Sequence, residues 1–304
     1  MRCACLDGAA GKVRWMDRFA LAARATLLAA SLTLSAACGA ESQAARTPAP
    51  AGSDGLLVTY VCNDGFMLSI AGKKILVDAL FDDERDICRT LPDAAAPDSG
   101  VDLGGADLVL VSHSHWDHFD PLVVGDYLLA NTRTLLVAER SAAEELAARF
   151  DAYERVRDRV RVVDPADGEA TRITLDGIEL TAVSAPADVP NAAFLIRVGG
   201  ATLFHTGDVN LEAAPRIGDY RLGQEGIDVA FVPYWYLLDD KGRSLLDGLI
   251  GAADYVPMHY AGENLNGVFA AVRRRYPGAV LFTAAARTWT RSIDTASVAP
   301  RTSP

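Results

Sequence analysis

Basic residues are scarce in this chain: 29 Lys and Arg stand against 40 Asp and Glu, a formal charge of −11. Phosphate backbones are bound by clustered cations, and no stripe of them exists here, which excludes nucleic acid as a partner. The densest basic run, Arg273-Arg274-Arg275, falls where an amphipathic helix should end, a position the helix dipole favours for cations. Apolar runs long enough to span a bilayer are missing too, for the uncharged stretch from Ala25 to Ala37 is too short. Cysteine is sparse, with five in 304 residues and no pair at zinc-finger spacing. Histidine is equally rare at five. What remains is an ordinary globular composition, half apolar and under a quarter charged, in a chain long enough to bury a proper core.

The first part of the chain does not read as part of that core. A basic start, the short apolar stretch to Ala37 and a small-residue exit make a secretory signal over residues 1–37. The exit, Leu34-Ser35-Ala36-Ala37-Cys38-Gly39, resembles the lipobox of bacterial lipoproteins, with Ser35 where Leu is commonest. The resemblance implies lipidation of Cys38 and, with Gly39 rather than Asp after it, anchoring at the periplasmic face of the outer membrane. Residues 38–55, small, polar and rich in Pro and Gly, read as a flexible tether. In an oxidising compartment Cys62 and Cys88 either form a disulfide or stay as two buried thiols.

Residues 56–290 read as one mixed α/β domain, and residues 291–304 as a disordered tail. Leu56 to Ile70 alternates as a strand bent at Asn63-Asp64-Gly65, and Ile75 to Asp78 is its partner. Asp107 to Val111 is a continuous apolar strand, buried on both faces. Asp120 caps a helix from Pro121 to Leu129, and Ser141 with Glu144 forms a capping box for a helix to Phe150. Strands follow at 134–138, 160–163, 173–175 and 178–184, then a hairpin at Ala192 to Phe204, a strand at 229–232 and another at 255–258. Helices at 245–250 and 264–276 and a last strand at 280–283 close the domain. Two mixed sheets packed face to face account for this order.

Three of the five histidines fall within six residues: His113-Ser114-His115-Trp116-Asp117-His118. Imidazole nitrogens and a carboxylate suit zinc and its neighbours. In an extended segment His113 and His115 point to one side and reach one ion; Asp117 and His118 turn away toward a second. Downstream stand His205-Thr206-Gly207-Asp208 and Val256-Pro257-Met258-His259. His205, three residues before Asp208 on a strand, should face the other side and is read as structural.

The run His-x-His-x-Asp-His at the end of a buried strand resembles the hallmark of the metallo-β-lactamase superfamily. Thr59 to Phe66, Ile75 to Asp78, His205 to Asp208 and Val256 to His259 agree with it in order, across about residues 56 to 285. The resemblance implies an αββα sandwich with metal at the edge of the two sheets. It places His113 and His115 on a first metal, Asp117, His118 and His259 on a second, and Asp208 between them. The loops look more like the lactonase and phosphodiesterase branch than like antibiotic-degrading members.

One position departs from the pattern. The family carries a further first-metal His before the hairpin at Ala192, where this chain reads Ser184-Ala185-Pro186-Ala187-Asp188-Val189-Pro190-Asn191. Asp188 either replaces that ligand or is a solvated turn residue. The expected cofactor is Zn2+, one or two ions, with Mn2+ or Fe2+ as alternatives. The expected activity is hydrolysis of a small ester, lactone or phosphodiester by a metal-bound hydroxide, with Asp117 as the catalytic carboxylate and Tyr234, Trp235, Tyr236 and Tyr260 as pocket walls. The rival expectation is a non-catalytic metal-binding or sensing lipoprotein with a degenerate site.

Overall fold

The computed structural model describes residues 55–82, 101–185, 187–212, 214–260 and 265–293. The leader, Cys38, most of the tether and Cys88 lie outside the described residues. Cys62 itself is buried and disulfide-bonded.

One sheet has seven strands: β1 (Gly55–Cys62), β2 (Gly65–Ile70), β3 (Lys73–Val77), β4 (Leu108–Val111), β5 (Leu135–Glu139), β6 (Val160–Val163) and β13 (Thr288–Ser292), in the order β13-β1-β2-β3-β4-β5-β6. The second has six: β7 (Ala170–Leu175), β8 (Ile178–Ser184), β9 (Ala192–Val198), β10 (Ala201–His205), β11 (Val229–Pro233) and β12 (Asp254–Met258), running β12-β11-β10-β9-β8-β7. Both are mixed. Hairpin connections make β1 to β3 and β7 to β10 antiparallel, while β3 to β6 and β10 to β12 run parallel.

Side-chain alternation explains the layering. Along β9, Ala192, Phe194, Ile196 and Val198 point into the core between the sheets, where Phe66 of β2 meets Phe231 of β11 at 4.5 Å between ring centroids. Ala193 and Leu195 point the other way, into a second core. There they meet Tyr236 and Leu237 of helix α3 (Trp235–Leu238), Leu246 and Ile250 of the turns after α4 (Asp240–Leu245), and Val272 of α5 (Leu265–Arg275). Outside the first sheet, α2 (Arg140–Arg149) packs on β5 and β6, with α1 (Pro121–Ala130) beside it. The result is the expected four-layer αββα sandwich.

Several local expectations need correcting. The segment 56–70 is a tight hairpin rather than one bent strand: Asn63 takes a positive φ of 50°, and Cys62 pairs directly with Gly65. Asp120 does cap α1, its Oδ1 accepting from the amides of Leu122 and Val123 at 2.7 and 2.9 Å. Helix α2, however, is capped by Glu139, whose carboxylate accepts the Ser141 amide at 2.7 Å and the Ser141 hydroxyl. A carboxylate at the helix start outcompetes the hydroxyl for the same orphan donors.

Residues 280–283 form no strand. Val280 donates one backbone bond to Tyr255, and Phe282 then turns inward to stack on Tyr60 at 5.5 Å. The final strand is β13, which pairs antiparallel with β1, so the ordered domain runs past residue 290 and buries Ile293. Its alternation of Thr, Trp, Thr, Arg and Ser is that of a half-solvated edge strand, which composition alone does not separate from a polar tail.

Candidate metal centre

Five segments deliver the site: the His113-to-His118 run follows β4, and each of the other four leaves its strand through a left-handed residue. Asn63 (φ 50°) follows β1, Asp78 (φ 45°) follows β3, Gly207 (φ 56°) follows β10 and His259 (φ 65°) follows β12. The reversal aims polar side chains inward at strand ends that would otherwise continue as apolar ladder. Glycine is required only at 207, where a Cβ would stand 2.1 Å from Asn191 Oδ1.

The donor atoms gather in two groups, the atoms of each within 4.8 Å of one another: Asp64, Asp117, His118 and His259 in one, His113, His115 and Asp208 in the other. Asp208 faces both. Its Oδ1 is 3.2 Å from His118 Nε2, and its Oδ2 is 3.1 Å from His259 Nε2 and 3.6 Å from His113 Nε2. Asp117 Oδ2 lies 3.7 Å from His259 Nε2 and accepts the Asn63 amide at 3.1 Å.

A buried layer behind these groups sets the tautomers. Asp78 accepts the Ser112 amide on Oδ1 at 2.8 Å and the Ser112 hydroxyl on Oδ2 at 2.6 Å. Having given its only hydroxyl proton to Asp78, Ser112 Oγ must accept from His113 Nδ1, 2.9 Å away. His118 Nδ1 likewise donates to Asp78 Oδ2 at 2.9 Å. Both imidazoles therefore turn their Nε2 atoms toward the centre. Those two nitrogens, both oxygens of Asp64 and Oδ1 of Asp208 are buried without a hydrogen-bond partner.

Unpartnered buried donors and acceptors are costly, and a divalent cation is the group that would satisfy this set. Imidazole plus carboxylate, with no thiolate, is chemistry for Zn2+, Fe2+ or Mn2+. Protons hold the charges together when no cation does. Burial pushes the Asp64 carboxyl up to about 8, against the pull of His118 and His259. Burial would lower His118, but the carboxylates of Asp208 and Asp64 outweigh it and hold that imidazole well above its ordinary range. Burial and the neighbouring His118 charge drive His113 down. Asp208 is held below the usual carboxylate range, since His118 and His259 overcome its burial.

His205 stays outside both groups, as expected. It is buried, donates from Nε2 to the Asp64 carbonyl at 3.0 Å, and accepts the Gly207 amide on Nδ1 at 3.2 Å. It thereby ties the Asp64 turn to the Asp208 turn. Asn191 does similar work, donating to the carbonyls of Ala185 and Thr206 at 2.8 and 3.0 Å.

A cavity of about 470 Å³ opens onto the centre, with His115, Asp208 and His259 on its floor. Its walls are Ala187, Asp188, Asn210, Leu211 and Trp235. Asp188 takes the second of its two alternatives, the solvated turn, and the expected aromatic walls change. Asp188 is exposed on the pocket wall and belongs to neither donor group; it sits on a bend that holds it at the solvent side. Of the four aromatic residues expected as walls, Trp235 alone lines the cavity, its ring edge-on to His259 at 4.9 Å. Tyr236 is buried in the outer core and donates to the Val209 carbonyl at 3.1 Å. Tyr260 is buried and stacks on Tyr234 at 6.0 Å, facing the inner core. Asp64 was not foreseen as a donor. Its position in a turn gave no sign of burial, though the β-hairpin period that buries it lies on either side.

A family model described as a β-lactamase superfamily domain matches residues 73–265, more than half of the chain. A UPF0173 metal-dependent hydrolase of Anaeromyxobacter dehalogenans is 25% identical over 216 residues, covering 67% of this chain and 74% of that protein. In structure the chain resembles Igni18, a metallo hydrolase of Ignicoccus hospitalis, at a TM-score of 0.52 and 16% identity, over 78% of this chain and 98% of that one. It also resembles CmlA, a diiron β-hydroxylase of Streptomyces venezuelae, at 0.51 and 15% identity, over 80% of this chain and 55% of that one. The αββα sandwich, the donor groups at strand ends and the matched domain agree: the chain belongs to the β-lactamase superfamily and has the metallo-β-lactamase fold.

Proposed function

We propose that this domain hydrolyses a small, uncharged acyl substrate, an ester or a lactone, at a two-ion centre. The observation that carries this reading is the pair of donor groups sharing Asp208 on the floor of a cavity. Bound divalent ions would polarise the electrophile and lower the pKa of water. His113, His115 and Asp208 would hold one ion, and Asp117, His118 and His259 the other. Asp117 takes the proton released by the attacking water, at Oδ1, because Oδ2 is already engaged by Asn63. The water oxygen bonds to the acyl carbon, the carbon–oxygen bond of the leaving group breaks, and Asp117 returns its proton to the leaving oxygen. Trp235 and Leu211 offer an apolar wall for the acyl or alcohol part.

Phosphodiesters fit less well. Among the described wall residues there is no Lys or Arg to pair with a phosphate, and the exposed Asp188 carboxylate stands against one. A second reading, a one-ion binding protein without turnover, draws support from the exposure of Asp188, which leaves the His113 group with three donors. Membrane attachment through lipidated Cys38, on the periplasmic face of the outer membrane, belongs to the same proposal and rests on the sequence of residues 16–39. Metal analysis by mass spectrometry, with a panel of ester, lactone and phosphodiester reporters, tests the activity. Two ions per chain with acyl turnover supports it. One ion with no turnover favours the binder, and turnover of phosphodiesters alone overturns the substrate assignment. Radiolabelled palmitate incorporation lost in Cys38→Ser tests the anchor.

A further inference from the structure

The turn between β1 and β2 sends a carboxylate into the centre from a direction that the His113-to-His118 run does not reach. Asp64 is wholly buried, yet neither of its oxygens has a hydrogen-bond partner. Its Oδ2 is 3.4 Å from His118 Nε2, and its donor atom lies within 4.8 Å of those of Asp117, His118 and His259. No hydrogen bond among the described residues rewards a carboxylate there, and His118 Nε2, which it faces, is itself a donor of the centre. The backbone around it is nonetheless held firmly. The Asp64 carbonyl accepts from His205 at 3.0 Å, and the adjacent Asn63 carbonyl accepts the His259 amide at 3.4 Å. The side chain is thus costly, aimed and fixed.

We propose that Asp64 is a direct metal ligand, the fourth donor of the group formed with Asp117, His118 and His259. This rests on the reading of the site as a metal centre and adds to it. The group then carries two carboxylates and two imidazoles, a complete four-donor set. The other group keeps His113, His115 and the shared Asp208, three donors facing the cavity. The chain has in effect moved donor strength from the open side, where residues 184–191 supply no imidazole, to the buried side. The buried ion is the tightly held one, and the extra oxygen donor narrows the preference for Zn2+ over Mn2+ or Fe2+. The cavity-side ion is the exchangeable one, with positions left for water and substrate.

The test compares the full chain with Asp64→Asn and Asp64→Glu by competitive chelator titration with Zn2+ and Mn2+, and by thermal unfolding with and without metal. For Asp64→Asn the tight ion should weaken by at least the roughly 10–100-fold that loss of an outer partner costs. The metal-free variant should unfold at the same temperature as the parent or a higher one, because a buried carboxyl without a hydrogen-bond partner is gone. Asp64→Glu keeps a carboxylate and should retain the ion count with an altered Co2+ absorption spectrum. Unchanged affinity in Asp64→Asn, or Co2+ spectra identical to the parent in both variants, overturns the assignment while leaving the metal centre standing. A lower metal-free unfolding temperature with unchanged affinity marks Asp64 as merely structural and also overturns it. A parent chain that binds no divalent ion overturns both readings.

Discussion

His118 Nδ1 lies 2.9 Å from Asp78 Oδ2, and that same carboxylate receives both protons Ser112 can give, from its amide and its hydroxyl. One buried anion thereby fixes His118 directly and His113 through Ser112, so that the two rings reach the centre in the same tautomer. Replacing Asp78 by Asn removes the acceptor on which both rings depend. Metal affinity should fall about 10–100-fold. Ser112→Ala frees His113 alone and should cost less. Chelator competition on the two variants ranks them; an Asp78→Asn protein that binds metal like the parent would refute the tautomer argument.

Gly207 carries a prediction of its own. Alanine there meets a left-handed backbone and a Cβ 2.1 Å from Asn191 Oδ1. Gly207→Ala should destabilise by about 1–3 kcal/mol and weaken metal binding as well, because the turn it distorts carries Asp208. Gly248→Ala, with open space around its Cβ and an ordinary φ, is the control, expected to be neutral or stabilising by about 0.4–1 kcal/mol. Denaturant unfolding of the two proteins decides it.

Trp235 and Tyr236 are neighbours in sequence with opposite consequences. Trp235→Ala enlarges the cavity beside His259 and should raise KM about tenfold for substrates with an apolar group, with a smaller change in kcat. Tyr236→Phe removes a buried hydroxyl and leaves the Val209 carbonyl unpaired; it should cost about 1 kcal/mol of stability and leave KM alone. Steady-state kinetics and urea unfolding read the two effects separately.

Asp188→Asn should keep the full complement of ions, since the exposed side chain stands apart from both donor groups. What should change is selectivity: with one wall charge removed, anionic esters should become better substrates relative to neutral ones. Loss of an ion in this variant would restore Asp188 as the replacement for the absent histidine.

Much of this was legible in the chain itself. The apolar strands β4, β9 and β11 and the cap at Asp120 follow from period and cap chemistry, and the His113-to-His118 run from its spacing, whereas Asp208 and His259 follow from the resemblance to the metallo-β-lactamase pattern. Asp64 and the Asp78–Ser112 relay do not. A polar residue in a turn is ordinarily solvated, and only the packing of one sheet edge against the other shows these turns to be sealed. The aromatic run 234–236 misled for the opposite reason: a short helix after β11 sends successive side chains to different faces, so one ring meets the cavity and another the core. The tail expected from residue 291 begins later, because an edge strand with one wet face, here Thr288–Ser292, has the composition of a tail.

The left-handed exits at Asn63, Asp78 and His259 bear on how this protein could be engineered for heat resistance. The usual remedy for a side chain in that conformation is glycine, which relaxes the backbone and often raises the melting temperature. At these positions glycine would delete, in turn, the amide that holds Asp117, the anchor of two imidazoles and a donor of the centre. The strain is the cost of the chemistry, and a thermostable variant must find its stability in the outer layers instead.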